Sequence, residues 1–388
     1  MTLRILILLG ALSAFGPLAI DLYLPAFPAL AQAFGTDIEH VQLTLAAYFV
    51  GLAIGQLIYG PLIDRFGRRG PLLIGVVLFS LSSLACALVP DLDWMVAARF
   101  IQALGGCVGM VAARTVVRDL CDPTTTAKVF SQLVLVMGVA PILAPVLGGV
   151  LLAAFGWPSM FIVLALFGSV CGLAVWRWLP ETYPADMPRR PLGGALANYG
   201  RLLRDSSFVG NALAGGFAMG GMFAYIAGSP FVYIELYEVS TQHYAWLFGL
   251  NAAGFILLAQ VNAALMRLRG PQFWLMRWVW VHFASGMALL AVALAQPAAL
   301  WPLLLPLFCS IASLGCIMPN ATACALARHG ANAGSASALL GSLQFSIAAV
   351  TSAMVGALHD GSSVPLAGVI AVCALLALAL TVWTASRD

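Results

Sequence analysis

The stretch Gly60-Pro-Leu-Ile-Asp-Arg-Phe-Gly-Arg-Arg69 decides how this chain is read. It joins two long apolar runs, residues 40–62 and 70–89, through a connection too short to be a domain. It holds one acid (Asp64), three arginines (Arg65, Arg68, Arg69) and three turn formers (Gly60, Pro61, Gly67). The glycines allow tight turning and close backbone approach, and Pro61 is expected to end or kink the helix before it.

Composition fixes the surroundings of that loop. Of 388 residues, 62% are hydrophobic and only 9% are charged, and the mean hydropathy is +0.98. A soluble domain carries roughly 25% charged residues, so this chain has too little charge to coat a wet surface. A membrane-crossing helix needs about 20 apolar residues, and helices satisfy their own backbone polarity in lipid. The length suits about twelve such helices with short connections. The net charge of +3 gives no sign of a nucleic-acid partner. Cys86, Cys107, Cys121, Cys171, Cys309, Cys316, Cys324 and Cys373 form no CxxC pair. They read as small core residues, not as disulfides or metal ligands. Met1-Thr-Leu-Arg4 runs straight into apolar sequence, which reads as a first membrane helix and not a removed signal.

Breaking the chain at charges and turn formers predicts spans at 5–27, 40–62, 70–89, 94–116, 128–153 and 158–178. A second set follows at 207–232, 241–266, 272–295, 300–326, 335–357 and 364–385. With a cytoplasmic N-terminus, every Lys and Arg except Arg99 falls on the cytoplasmic side. The opposite loops hold only Asp37, Glu39, Asp91, Asp93, Glu235, Glu238 and Asp360. That asymmetry is the positive-inside pattern, and it places both termini in the cytoplasm. The proline- and arginine-rich stretch 181–206 divides the chain into two six-helix bundles, 1–180 and 207–388. Paired repeats with a site between them are a transporter layout. Trp94, Trp157, Trp178 and Trp301 flank helices as interface anchors.

Gly60, Asp64, Arg65, Gly67, Arg68 and Arg69 resemble the loop motif that the major facilitator superfamily carries between its second and third helices. The resemblance implies a solute transporter of twelve helices in two bundles, in which this loop latches the halves on the cytoplasmic side. Asp64 is then expected to pair with a nearby arginine and with the positive N-terminal end of the eleventh helix, near Asn332, Gly334 and Ser335. Arg114, Arg118 and Asp119 lie at the inner end of helix 4 and join the latch.

Arg99 lies one and a half turns inside helix 4. A buried ionisable group is costly unless paired, so it marks function before packing; the plainer alternative is a snorkelling interface arginine. With Gln102 and Gly105 it resembles the family's helix-4 motif, linked to proton coupling. Gly138, Pro141, Pro145, Gly148 and Gly149 resemble the helix-5 motif of antiporters. The same residues also describe a kinked, closely packed helix.

Asp21 is the carboxylate inside helix 1. A carboxyl stripped of water holds its proton more readily, which suits a group that loads and releases one; the alternative is an interfacial acid. Asp21-Leu-Tyr-Leu-Pro25, Arg114-Thr-Val-Val-Arg-Asp119, Trp178-Leu-Pro-Glu-Thr182 and Gly334-Ser-Ala-Ser-Ala-Leu-Leu-Gly341 resemble the Bcr/CflA drug-resistance family. That family includes bicyclomycin and chloramphenicol or florfenicol exporters. No second acid precedes Asp21 in its helix, which favours neutral or weakly charged substrates.

The expectation is a proton-coupled drug exporter of the inner membrane, a monomer without cofactor or metal, the proton being the coupling ion. An exporter or uniporter of a native metabolite is the alternative; no constellation of an enzyme stands out. Tyr23, Tyr48, Gln102, Phe217, Phe223, Tyr225, Asn251, Gln344 and Phe345 are candidate cavity residues. His282, inside helix 9, reads as a hydrogen-bonded structural histidine.

Overall fold

The computed structural model describes residues 2–121, 123–183, 192–266, 268–329 and 333–387. Among them the regular structure is helical, as a lipid-embedded backbone requires. Eleven helices are long and apolar enough to cross a membrane. A further helix, α7 (Pro123–Phe155), has its apolar run at Val139–Phe155.

The first span departs from the single helix expected at 5–27. It runs from Leu3 to Phe34 in pieces: α1 (Leu3–Ser13), α2 (Phe15–Asp21), a 3-10 turn (Leu24–Ala26) and α3 (Phe27–Phe34). Pro25 and Pro28 lack the N–H that a continuous ladder would need there. Asp21 is the last residue of α2, so it sits at the break. The second span, α4 (Ile38–Phe66), removes one of the two readings of Pro61: the proline does not end the helix, which continues through it to Phe66. A transmembrane helix tolerates one missing hydrogen bond. Pro141 and Pro145 likewise lie inside an unbroken α7.

The remaining helices are α5 (Arg69–Leu88), α6 (Leu92–Leu120), α8 (Pro158–Trp178), α9 (Leu192–Leu202), α10 (Ser206–Pro230), α11 (Thr241–Leu265), α12 (Pro271–Leu294), α13 (Trp301–Leu326), α14 (Ala333–Ala357) and α15 (Val364–Ala385). Their starts follow local chemistry. Asp91 caps α6 by accepting from the Trp94 N–H at 3.0 Å. Asp205 caps α10 through Ser207 and Phe208. Prolines open α8, α12, α13 and α15, where the lost donor costs nothing. Beyond Pro230 the chain runs on as a π-helical turn, Phe231–Leu236.

The chain forms two compact units. One holds Met1–Ala26 and Ala47–Ala197; the other holds Phe27–Ala46 and Asn198–Asp388. This partition differs from the one read off the sequence: 27–46 goes with the second unit, and the described linker residues 181–183 and 192–197 with the first. In the first unit α5 packs on α6 and α8, and α7 covers α1 and α2. In the second, α10 packs on α13, α14 and α15, and α12 on α13. Within that unit Glu39 pairs with His359 at 2.9 Å. The linker contains the helix α9, which the sequence reading did not anticipate.

Candidate functional site

Two polar clusters in the first unit gather most of the residues singled out by sequence. One is centred on Arg99. Its side chain is 0% exposed, so it does not run to an interface. One guanidinium nitrogen donates to the Ala19 carbonyl at 2.9 Å, and another donates to the Gln102 side-chain oxygen. Gln102 in turn donates to Ser83 Oγ at 2.6 Å. The guanidinium lies 4.4 Å from the Tyr23 ring centre and 4.2 Å from that of Tyr48. Phe161 closes the cage at 5.9 Å. Delocalised, weakly hydrated Arg suits such stacking better than Lys. Tyr23 and Tyr48, candidates for a cavity wall, therefore hold the arginine. Ser83 and Phe161 escaped sequence reading, since a lone Ser or Phe in an apolar run carries no signal.

Asp21 is two residues beyond the carbonyl that Arg99 holds. It is 3% exposed, and its Oδ1 has no hydrogen-bond partner. Among the described residues no ion pair joins Asp21 to Arg99. From the other side, α7 closes on the same segment. A Cβ built on Gly148 would stand 1.9 Å from the Leu22 carbonyl oxygen, inside any permitted contact. Gly149, its neighbour, has nothing within 4 Å. The segment Ala19–Leu22 is thus held by Arg99 of α6 and Gly148 of α7, and it carries the Asp21 carboxyl with its unpartnered Oδ1. Gly138 lies in α7.

The second cluster is the loop at 60–69. Arg68 Nε donates to Asp119 Oδ2 at 2.8 Å, and Nη1 donates to the Ile63 carbonyl at 2.9 Å and to Asp64 Oδ1 at 3.2 Å. Thr182 adds a hydrogen bond to Asp119 at 3.3 Å, and the Tyr183 ring faces the Arg68 guanidinium at 4.7 Å. Glu181 accepts from the backbone N–H of Arg68 at 2.8 Å and of Arg69 at 3.2 Å. Gly67 has φ +92, and a Cβ there would meet Glu181 Oε2 at 2.5 Å. Only glycine satisfies both demands. Partial burial by itself would raise the Glu181 carboxyl, but the N–H groups of Arg68, Tyr183, Arg69 and Thr182 outweigh it and hold the acid below its ordinary range. Gly60 lies inside α4. Arg65 lies over Phe66, and Arg114 is exposed on α6. The Arg118 side chain and Asn332 lie outside the described residues; Gly334 and Ser335 open α14 in the second unit.

In that unit the cavity candidates form two groups. Phe223 meets Phe345 at 5.9 Å, near the buried Gln344. Tyr225 stacks on Phe248 at 5.5 Å and accepts a hydrogen bond from Asn251 at 3.0 Å. Phe217 is half-buried. His282 is fully buried, with Nδ1 3.2 Å from the Ser310 carbonyl and 3.1 Å from its Oγ, while Nε2 is unpartnered. Among the described residues no His, Cys, Asp or Glu cluster could hold a metal.

A multi-pass bundle of apolar helices with a caged arginine and a buried acid, one of its oxygens unpartnered, is the build of a membrane transporter. Residues 7–353 match the Major Facilitator Superfamily, and the chain belongs to that family. It is 38% identical to the uncharacterized MFS-type transporter YdgK of Bacillus subtilis, over 96% of this chain and 93% of that one. It is 30% identical to a bicyclomycin resistance protein homolog of Haemophilus influenzae, over 100% and 97%. Multidrug resistance protein D of Escherichia coli is also 30% identical, over 88% and 85%. Among solved structures, the xylose transporter XylE of E. coli matches with a TM-score of 0.76 at 13% identity, over 99% and 97%. A bacterial homolog of the lysosomal transporter Spinster matches at 0.72 and 14%, over 99% and 96%. These last two likenesses concern the fold.

Proposed function

We propose that the chain is a proton-coupled exporter of small neutral or weakly charged drugs, phenicols among them. It acts as a monomer in a bacterial inner membrane, by alternating access, with both termini in the cytoplasm. The observation that carries this reading is the Ala19–Leu22 segment. A buried carboxylate with an unpartnered oxygen costs free energy unless a proton or a ligand compensates it. Arg99 donates through Nη1 and Nη2 to Gln102 and Ala19 and makes no ion pair with Asp21 among the described residues, its own Nε being without a partner as well. Asp21 is then the group that exchanges a proton for substrate. The names of the bicyclomycin-resistance and multidrug-resistance relatives support drugs as the cargo.

In this cycle a proton from outside loads Asp21, and drug leaves outward. The protein reopens inward, the proton departs, and drug binds again. Arg68, Asp64 and Asp119 form the rigid corner that governs cytoplasmic closure. A membrane potential of 100 mV contributes about 2.3 kcal/mol per charge moved, enough to drive uphill export by more than tenfold.

The test uses inverted vesicles energised by respiration, with a pH-sensitive dye inside. Chloramphenicol should draw protons out of wild-type vesicles and leave those carrying Asp21→Asn unchanged. Equal proton flux with Asp21→Asn would remove Asp21 from coupling. Drug transport insensitive to the gradient would move the assignment to a uniporter.

A further inference from the structure

A groove of about 830 Å3 opens in the second unit between the start of α11 and the start of α13. Its walls include Glu238, His243, Trp246 and Trp301. The two tryptophans are 71% and 77% exposed, at helix ends where indoles mark the membrane–water interface. Two loops frame it, and each carries a non-glycine residue in the left-handed region: Glu238 at φ 53 and Gln296 at φ 45. Such conformations persist only where the surroundings hold them. One hold is explicit, since the Tyr237 hydroxyl donates to the Pro297 carbonyl at 3.0 Å. Among the described residues neither Lys nor Arg lines the groove.

The polar lining has two ends of different chemistry. Glu238 is exposed and makes no ion pair among the described residues, so its carboxylate is available to a cation. Ser240 Oγ accepts the His243 backbone N–H at 3.3 Å and lies 2.9 Å from His243 Nδ1. With the serine hydroxyl donating to Nδ1, the imidazole hydrogen sits on Nε2 and is free to donate to an anion. A carboxylate, an outward N–H donor and indole walls at an interface complement a zwitterion with an apolar tail.

We propose that this groove binds an ethanolamine phospholipid: the ammonium on Glu238, the phosphate on His243 Nε2, and the glycerol and upper acyl chains against Trp246 and Trp301. A primary ammonium donates hydrogen bonds to the carboxylate, whereas choline's quaternary nitrogen has no hydrogen to donate. On the topology read from the charges, the lipid belongs to the outer leaflet. The proposal rests on the membrane-transporter reading only for placing the groove at an interface. Lipid retention is measured without transport, so its failure is distinct from a failure of drug export.

The test is native mass spectrometry of the purified full-length protein with dioleoyl phosphatidylethanolamine, phosphatidylcholine and phosphatidylglycerol, each added alone. Wild type should retain the ethanolamine lipid about tenfold better than the choline lipid, or about 1.4 kcal/mol. Glu238→Gln should bring the two to the same level, Glu238→Asp should keep part of the preference, and His243→Ala should weaken both lipids. Unchanged melting temperatures of the variants exclude misfolding as the cause. No preference in wild type, or a preference that survives Glu238→Gln, overturns the proposal. So does tetraphenylphosphonium binding that depends on Glu238 while lipid binding does not, which would give the groove to cationic drugs.

Discussion

Replacing Gly148 with alanine places a methyl carbon 1.9 Å from the Leu22 carbonyl oxygen, about 1.5 Å inside the 3.4 Å at which ordinary contact begins. The obstacle is backbone, so no side-chain rotation relieves it. Either α7 moves away or the Ala19–Leu22 segment shifts, and with it Asp21. Overpacking a close contact of this kind costs about 1–3 kcal/mol. The displacement also exceeds the 1 Å misplacement that can reduce a positioned reaction by about a hundredfold. Gly149→Ala is the internal control: it belongs to the same sequence motif, yet nothing lies within 4 Å of its added carbon. The assay is proton-driven chloramphenicol uptake into inverted vesicles, which reads export in the cell, with stability followed by the thermal exposure of the buried thiols Cys86, Cys107, Cys171, Cys316 and Cys373. Gly148→Ala should lose at least tenfold in efflux and melt several degrees lower, while Gly149→Ala should match wild type. Equal behaviour of the two variants would refute the claim that α7 positions the Asp21 segment by direct contact.

Other perturbations separate the remaining interactions. The Tyr48 hydroxyl has no partner while its ring faces Arg99. Tyr48→Phe should therefore leave thermal stability unchanged, and Tyr48→Leu should lower it by about 1–2 kcal/mol. In a double-mutant cycle on purified protein, Arg68→Ala and Asp119→Ala should each destabilise by about 3 kcal/mol, with the double variant far less than additive because the pair is buried. Glu181 has a lowered folded-state pKa, so its contribution to the 67–69 loop is present above the ordinary carboxyl range and lost as pH falls below that range through the lowered value. Amide hydrogen exchange at Arg68 and Arg69, corrected for intrinsic rates, should stay low in wild type from pH 7 down to the ordinary carboxyl range and rise only below it. In Glu181→Gln it should already be raised at pH 7.

The spans were legible because a lipid-crossing helix writes a run of about 20 apolar residues whatever packs against it. Helix starts such as Asp91, Asp205 and Pro158 were legible because capping is local chemistry. Features decided by distant neighbours were not. The break at Leu22–Ala26 combines visible prolines with the α7 backbone at Gly148, and only the second fixes where Asp21 ends. Pro61 in isolation reads as a helix end or a kink, and the helix runs through it. Asp64 and Arg68 are visible four residues apart, but Asp119 and Glu181 reach Arg68 from over 50 residues away, and Thr182 reaches Asp119. Gly67 looks like a turn former, and its second role, leaving room for Glu181, needs coordinates. The tyrosines were legible as aromatic residues; that Tyr23 and Tyr48 face the Arg99 guanidinium was not.

The most direct measurement follows protons released when drug binds to the purified transporter in weakly buffered detergent solution with a pH indicator. If Asp21 is where proton and substrate exclude one another, chloramphenicol should release protons from wild type and none from Asp21→Asn, while both proteins still bind the drug. Undiminished release from Asp21→Asn would contradict the assignment.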